Sequence, residues 1–321
     1  MFGSFLTDYG KAKRMSEPSV GVVITACADS VELRRCLLRI CAEAAEMRAE
    51  TVLVINATEL TLAATARSEL GDLVDRLLFE PVPGKSRALN HAVRSSDRSV
   101  LAFTDDDALP EDGWLHRVTA PLRNAAVAPG PSGVGGRVLP EYGERRPPRW
   151  YRELIDGADM HFLGPVHDLG PEPRLYDGAH RWEAPVGANC AFRRSLLHEG
   201  FRVDLGPNRE TGLRGGEDLE LGLRLMRRGH ELLYVPDAVV RHPVTRARMT
   251  LSYARGGFFA QGVEQVRLMQ ALGIPALRRR GVKRRLWKIW LPILGNLLHH
   301  PQRSLEAAME RARLQGILNE M

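Results

Sequence analysis

Short apolar runs at Val20–Thr25, Thr51–Ile55, Arg76–Phe79 and Ser99–Phe103 alternate with stretches of helical periodicity. The first of those stretches follows a capping Asp29 or Ser30. It sets Val31, Leu33, Cys36, Leu37, Ile40 and Cys41 along one face. Strands rich in Val and Ile need cover on both faces, and the intervening helices supply it. The pattern predicts βαβ units around a mostly parallel sheet, and it excludes an all-helical or all-β chain.

The fourth run, Val100-Leu-Ala-Phe-Thr, delivers Asp105, Asp106 and Asp107 in succession. Three adjacent carboxylates repel one another. A hard divalent cation bound through oxygen removes that conflict, and a diphosphate can complete its shell. The carboxyl end of a strand in an open α/β sheet is also where ligands bind. A solvated acidic turn capping the next helix is the plainer alternative.

Size and composition fit a folded chain with a substantial core: 321 residues, 44% hydrophobic and 26% charged, net charge +6. Much of the basic excess follows Arg246. Cys27, Cys36, Cys41 and Cys190 form no C-x-x-C pair, and three of them lie in apolar stretches. That pattern predicts reduced thiols and a cytoplasmic protein. No apolar run reaches the roughly 18 residues of a membrane span, and Lys11, Lys13 and Arg14 precede nothing resembling a signal core.

Further along, Pro83-Gly-Lys85-Ser-Arg87 opens a helix through Asn90, so that Lys85 and Arg87 are either phosphate-facing cations or a solvated basic turn. The glycine spacing is not that of a Walker loop. From Pro140 to Arg181 periodicity fails, which predicts a functional lid or a disordered loop. Gly187-Ala-Asn189 offers a small-residue surface on which a sugar could lie, with Asn189 bonding its hydroxyls. Trp182 is a stacking platform or core, and Trp114 is structural. Gly215-Gly-Glu217-Asp218 opens another helix, and short strands at Glu231–Val235 and Ala238–His242 flank Pro236.

Taken in order, Val20–Thr25, Gly84–Asn90, Phe103–Asp107, Pro185–Asn189, Gly216–Asp218 and Tyr234–His242 resemble a family 2 glycosyltransferase of the GT-A fold, over roughly residues 19–245. The resemblance implies a Rossmann-like central sheet, a nucleotide diphosphate-sugar donor, transfer with inversion, and Mn2+ or Mg2+. It makes Asp107 the direct metal ligand and puts Asp105 on the ribose or metal, with Asp106 the middle member of the donor site. His242 matches the strand-end histidine that completes the metal shell, although a strand-end His is also at home simply packed. Asp218 becomes the base that deprotonates the acceptor hydroxyl, and Glu217 a supporting residue. First-turn acids equally suit a helix dipole. Asn90 falls near the nucleotide, although an asparagine inside a helix can equally bond neighbouring backbone. Asn56 stands where the family commonly carries an acid that reads the nucleobase, and an amide offers a donor as well as an acceptor there.

These expectations divide the chain into a leader (1–18), a GT-A domain (19–245) and a basic helical C-terminal region (246–321). The acceptor is unassigned. In the last region Arg278–Arg280 and Lys283–Arg285 precede Leu286-Trp-Lys-Ile-Trp, which suits either a helix lying peripherally on an anionic membrane at its inner face or one packed on the domain or a dimer partner. Nucleic-acid binding lacks a motif. A catalytically silent nucleotide-sugar-binding protein and a nucleotidyltransferase are the competing functions.

Overall fold

The computed structural model describes residues 18–58, 70–123, 130–156, 166–179, 182–207, 214–275, 277–296 and 301–321, with side chains except at 290–304. The predicted leader, apart from Pro18, lies outside the described residues.

The predicted βαβ units form. Strands β1 (Val20–Ala26), β2 (Glu50–Asn56), β3 (Arg76–Glu80) and β4 (Val100–Asp105) are parallel, in the order β3-β2-β1-β4. Helices α1 (Val31–Met47) and α2 (Lys85–Ser95) connect them. Alternate residues go to opposite faces, as a strand's period of two requires. Val22, Ile24, Leu53 and Ile55 meet α1 and Trp114 on one side. Val23, Val52, Val54, Leu101 and Phe103 meet α2 on the other.

The sheet continues through β8 (Cys190–Arg193), β6 (Gly133–Glu141), β9 (Leu232–Pro243) and β5 (Leu109–Pro110), with β7 (Arg174–Leu175) also on β9. Strands β6 and β9 run in the direction of β1–β4, while β5, β7 and β8 run against it. Helices α3 (Trp114–Arg123) and α5 (Glu217–Arg227) cover this half. The sheet is thus mostly parallel, with antiparallel members confined to its second half.

Two features depart from the sequence reading. The paired short strands around Pro236 are one continuous β9, whose register on β6 jumps between Gly136 and Arg137, so that Pro236–Ala238 bulge out. Proline has no N–H for the ladder, and the bulge accommodates it. Also, the segment expected to be a lid or disordered contains α4 (Arg149–Asp156), whose Tyr151 is fully buried. Tyr151 and Leu154 pack on Ala254 and Phe258 of α6 (Leu251–Ala271) and on Met309 and Ala312 of α8 (Pro301–Glu320). The remaining C-terminal helix, α7 (Arg279–Asn296), lies against α8 through Val282, Leu314 and Ile317.

The bulge explains Asn189, and corrects its expected role. Its Nδ2 donates to the carbonyls of Arg137 (2.8 Å) and Ala238 (2.7 Å), one on each strand where the register jumps, so that the amide bridges β6 and β9 at the bulge. Its Oδ1 accepts from Trp114 Nε1 at 2.8 Å, and the residue is completely buried. Asn189 therefore has no surface left for a sugar. Gly136 completes the knot, because a Cβ there would sit 2.2 Å from the Ala238 oxygen and 2.4 Å from Asn189 Nδ2.

Replacing Asn189 by Ala leaves the buried Trp114 Nε1–H without its acceptor, removes both amide bonds across the bulge and opens a cavity in the sheet. The expected cost is about 3 kcal/mol, read as a lower urea midpoint. A variant as stable as wild type would show that the amide does not knit the bulge.

Candidate active site

Each acidic or basic group of the site comes from the carboxyl end of a strand or the first turn of a helix. Strand β4 ends in Asp105, and Asp106 and Asp107 follow in a turn. Strand β9, three strands further across the sheet, carries His242 near its end. Helix α2 begins at Lys85 and α5 at Glu217.

Asp105, Asp107 and His242 each offer one ligand atom within 4.8 Å of the others. His242 Nε2 lies 3.2 Å from Asp107 Oδ1 and 3.8 Å from Asp105 Oδ2. The imidazole is buried, and its Nδ1 faces the Pro243 carbonyl at 3.4 Å, which turns Nε2 toward the carboxylates. Two carboxylate oxygens and one imidazole nitrogen suit a hard or borderline divalent cation. Burial opposes the charged imidazolium, but Asp105 and Asp107 outweigh it and raise the His242 pKa. A field that favours an imidazolium favours a metal cation for the same reason.

Lys85 forms an ion pair with Asp105 Oδ1. Burial disfavours the ammonium, yet Asp105, Glu217 and Asp218 more than compensate and raise its pKa. Asp105 is pulled well below the usual carboxylate range, with Lys85 and His242 overcoming its burial. Asp106 has no such partner. Burial and its two neighbouring aspartates push it up to about 6. Arg87 is exposed beside the same turn.

The link to the second acidic pair runs past Gly187. A Cβ there would sit 3.4 Å from Asp218 Oδ2 and 3.6 Å from Lys85 Nζ, so both side chains converge on that stretch of backbone. Asp218 Oδ2 accepts from Gly187 N (2.7 Å), and Oδ1 from Leu219 N (2.8 Å). Those bonds fix the carboxylate while leaving each oxygen further acceptor capacity. Gly216, at φ +124°, turns the chain sharply into the helix just before it.

Glu217 differs from its neighbour. It is 3% exposed, and burial together with Asp218 pushes its pKa up to about 8. A residue so enclosed offers little surface to an acceptor, and its surroundings favour the neutral carboxyl over the anion.

Two further amides belong to the scaffold. Asn56 Nδ2 donates to the carbonyls of Glu80 and Val82, both at 2.8 Å, and its Oδ1 accepts from Gly84 N at 2.8 Å. It folds the turn that presents Lys85, so it does not read a base edge. An acid could not stand here, because it would confront two carbonyl oxygens with no proton to donate. Asn90 is likewise spent on the backbone of Phe201, donating to its oxygen at 2.8 Å and accepting from its nitrogen at 2.7 Å.

Glu264 was not foreseen. Its Oε1 accepts from Arg214 N (2.6 Å) and Gly215 N (3.2 Å), so it grips the strand of chain leading into Gly216-Glu217-Asp218. The Arg214 guanidinium stacks 4.2 Å from the Tyr253 ring centroid. The one available signal was that Glu264 is the single acid in α6.

Residues 18–255 match the family model described as "Glycosyltransferase like family 2". The chain belongs to this glycosyltransferase family. Succinoglycan biosynthesis protein ExoM of Rhizobium meliloti (strain 1021) is 29% identical over 187 residues, 57% of this chain and 52% of that protein. The chain therefore spans about half the length of that curated relative. Among solved structures, mannosyltransferase PcManGT from Pyrobaculum calidifontis, in complex with GDP-Man and Mn2+, superimposes with TM-score 0.60 at 16% identity, over 95% of this chain and 88% of that one. A mycobacterial protein superimposes with TM-score 0.51 at 17% identity, over 80% and 76%. These likenesses establish the GT-A fold of the family member described here.

Two measurements probe the support around Asp218. Glu264→Ala is expected to accelerate amide exchange at Gly215 about tenfold, while Glu264→Gln, which keeps the acceptor oxygen, stays near wild type. Equal protection in both variants removes Glu264 from this role. For Glu217, the unfolded chain loses its proton near 4.5 and the folded one near 8, so unfolding releases a proton between those values. With chelator present, stability is fully retained below pH 4.5 and falls as pH rises toward 8, and Glu217→Gln is expected to flatten that slope. An unchanged slope of urea midpoint against pH contradicts the neutral acid.

Proposed function

We propose that this protein transfers a glycosyl group from a nucleoside diphosphate sugar to an acceptor hydroxyl, with inversion at the anomeric carbon. The observation that carries the reading is the convergence of Asp105, Asp107 and His242 at the ends of β4 and β9, with Asp218 reached from them across Lys85 and Gly187. PcManGT, of the same fold, was solved with a nucleotide sugar and Mn2+.

In this reading Asp107, Asp105 and His242 hold Mn2+ or Mg2+, which neutralises charge growing on the departing diphosphate. Lys85 adds a fixed positive charge on the diphosphate side, and Arg87 stands exposed at the same helix start, where backbone N–H groups also face anions. Asp106, whose pKa burial and its two neighbouring aspartates raise, serves as a hydrogen-bond partner to the donor. Asp218 Oδ2 takes the proton from the acceptor hydroxyl as that oxygen attacks the face opposite the leaving group. Its two backbone bonds hold the carboxylate at the attack angle, and neutral Glu217 behind it adds no competing negative charge. Protons balance: one leaves the acceptor for Asp218, and the diphosphate departs as the anion that the metal and Lys85 already face.

Asp218→Asn is expected to leave Mn2+-dependent nucleotide affinity within about twofold while cutting nucleoside diphosphate release from a panel of nucleotide sugars by at least about 100-fold. Asp107→Ala is expected to abolish the thermal stabilisation that nucleotide and Mn2+ confer together. Full turnover in Asp218→Asn, or undiminished stabilisation in Asp107→Ala, removes the respective assignment.

A further inference from the structure

Helix α7 has two unlike faces. Val282, Leu286 and Ile289, at spacing i, i+4, i+7, form the seam against Val266, Leu314 and Ile317. On the opposite side Arg280, Arg284 and Trp287 repeat the same spacing, flanked by Lys283 and Lys288. These cations are exposed, the helix carries no acid at all, and Trp287 is 79% exposed in the middle of the basic face. The one acid recorded near this basic stretch is Glu310 of α8, which Arg285 approaches at 3.7 Å from the seam side. Among the described residues, the outer face thus has neither a counter-charge from the fold nor cover for its largest apolar group.

A tryptophan ringed by lysines and arginines is costly in bulk water but suits the headgroup layer of a bilayer. The indole sits at the polar–apolar boundary there, and the cations meet lipid phosphate. A straight helix face of this kind presents no second element to straddle a nucleic-acid groove, and a second copy would bring the same charges against their like. We propose that the outer face of α7 docks the protein flat on an anionic phospholipid surface, with Trp287 inserted among the headgroups and Arg280, Lys283, Arg284 and Lys288 on lipid phosphates. No described helix is long and apolar enough to cross a membrane, so attachment through this face is peripheral. The seam residues stay on α8, and binding needs no unpacking of the fold. The inference does not depend on the catalytic reading, since it invokes no donor or metal.

Flotation with vesicles tests it, using phosphatidylcholine alone and phosphatidylcholine with roughly one-third phosphatidylglycerol. The full chain is expected to bind the anionic vesicles at least about tenfold more strongly, and to be released at about 0.5 M salt. Each interfacial cation is worth about fivefold in affinity, so the charge reversal R280E/R284E is expected to weaken binding by about 30-fold or more. Trp287→Ala is expected to weaken it several-fold and to remove part of the quenching by brominated lipid. All three side chains are exposed, so a urea midpoint equal to wild type reports that the variants fold. Equal affinity for both vesicle types, or anionic-vesicle binding that survives R280E/R284E, overturns the proposal. So does duplex DNA displacing the protein from the vesicles at equimolar phosphate, or a dimer that R280E/R284E dissociates.

Discussion

Everything in the site follows from putting three carboxylates in a row at the end of β4. Such a cluster is stable only if positive charge arrives from elsewhere, and the fold brings it from two directions. Lys85 comes from the first turn of α2, and His242 comes from β9 on the far side of β8 and β6. Asp105 and Asp107 are met in this way and Asp106 is not, which is why only Asp106 of the two more enclosed members is driven toward neutrality. The same unbalanced field makes the position receptive to a divalent cation. The candidate cation site is therefore a consequence of strand geometry and charge, with Lys85 offsetting part of the cluster's negative charge.

That geometry requires β9 to reach the β4 end in spite of Pro236. The Asn189 amide pins the bulge at Pro236–Ala238 by bonding the Arg137 and Ala238 carbonyls on its two sides, while Trp114 anchors the amide oxygen. The scaffold and the site are coupled at this point. The residues that follow the bulge, Val239 to His242, regain register with Arg137 to Pro140, and His242 is delivered in line with the aspartates.

The alternation of strands and helices, the two-sided core and the place of the acidic cluster were legible in the sequence, because they rest on periodicity and on where a parallel strand must end. The histidine and the Gly-Gly-Glu-Asp turn were legible only through resemblance, since nothing local separates a ligand His242 from a packed one. The three asparagines were misread for a common reason. An amide near a site invites a ligand role, but Asn56, Asn90 and Asn189 each answer backbone groups that only the tertiary fold exposes: a turn at 80–84, the chain at Phe201, a bulge in β9. The helix Arg149–Asp156 was hidden because its apolar face is completed by α6 and α8 from the other end of the chain.

The C-terminal helices do more than extend the domain. Leu268 of α6 packs on Leu223 of α5 and on Leu205, and Glu264, one turn earlier, holds the backbone that enters Asp218's helix. The two contacts tie α6 to α5 at different points, one at the turn that opens it and one at Leu223 in its middle, whereas the acidic cluster hangs from β4 and β9. Helix α8 packs on α6 through two apolar clusters, Phe258 with Met309 and Ala312, then Val266 with Leu314 and Ile317, and α7 joins the second through Val282. An attachment made by the outer face of α7 would thus be passed through α8 to α6, the same helix whose Glu264 and Leu268 brace α5.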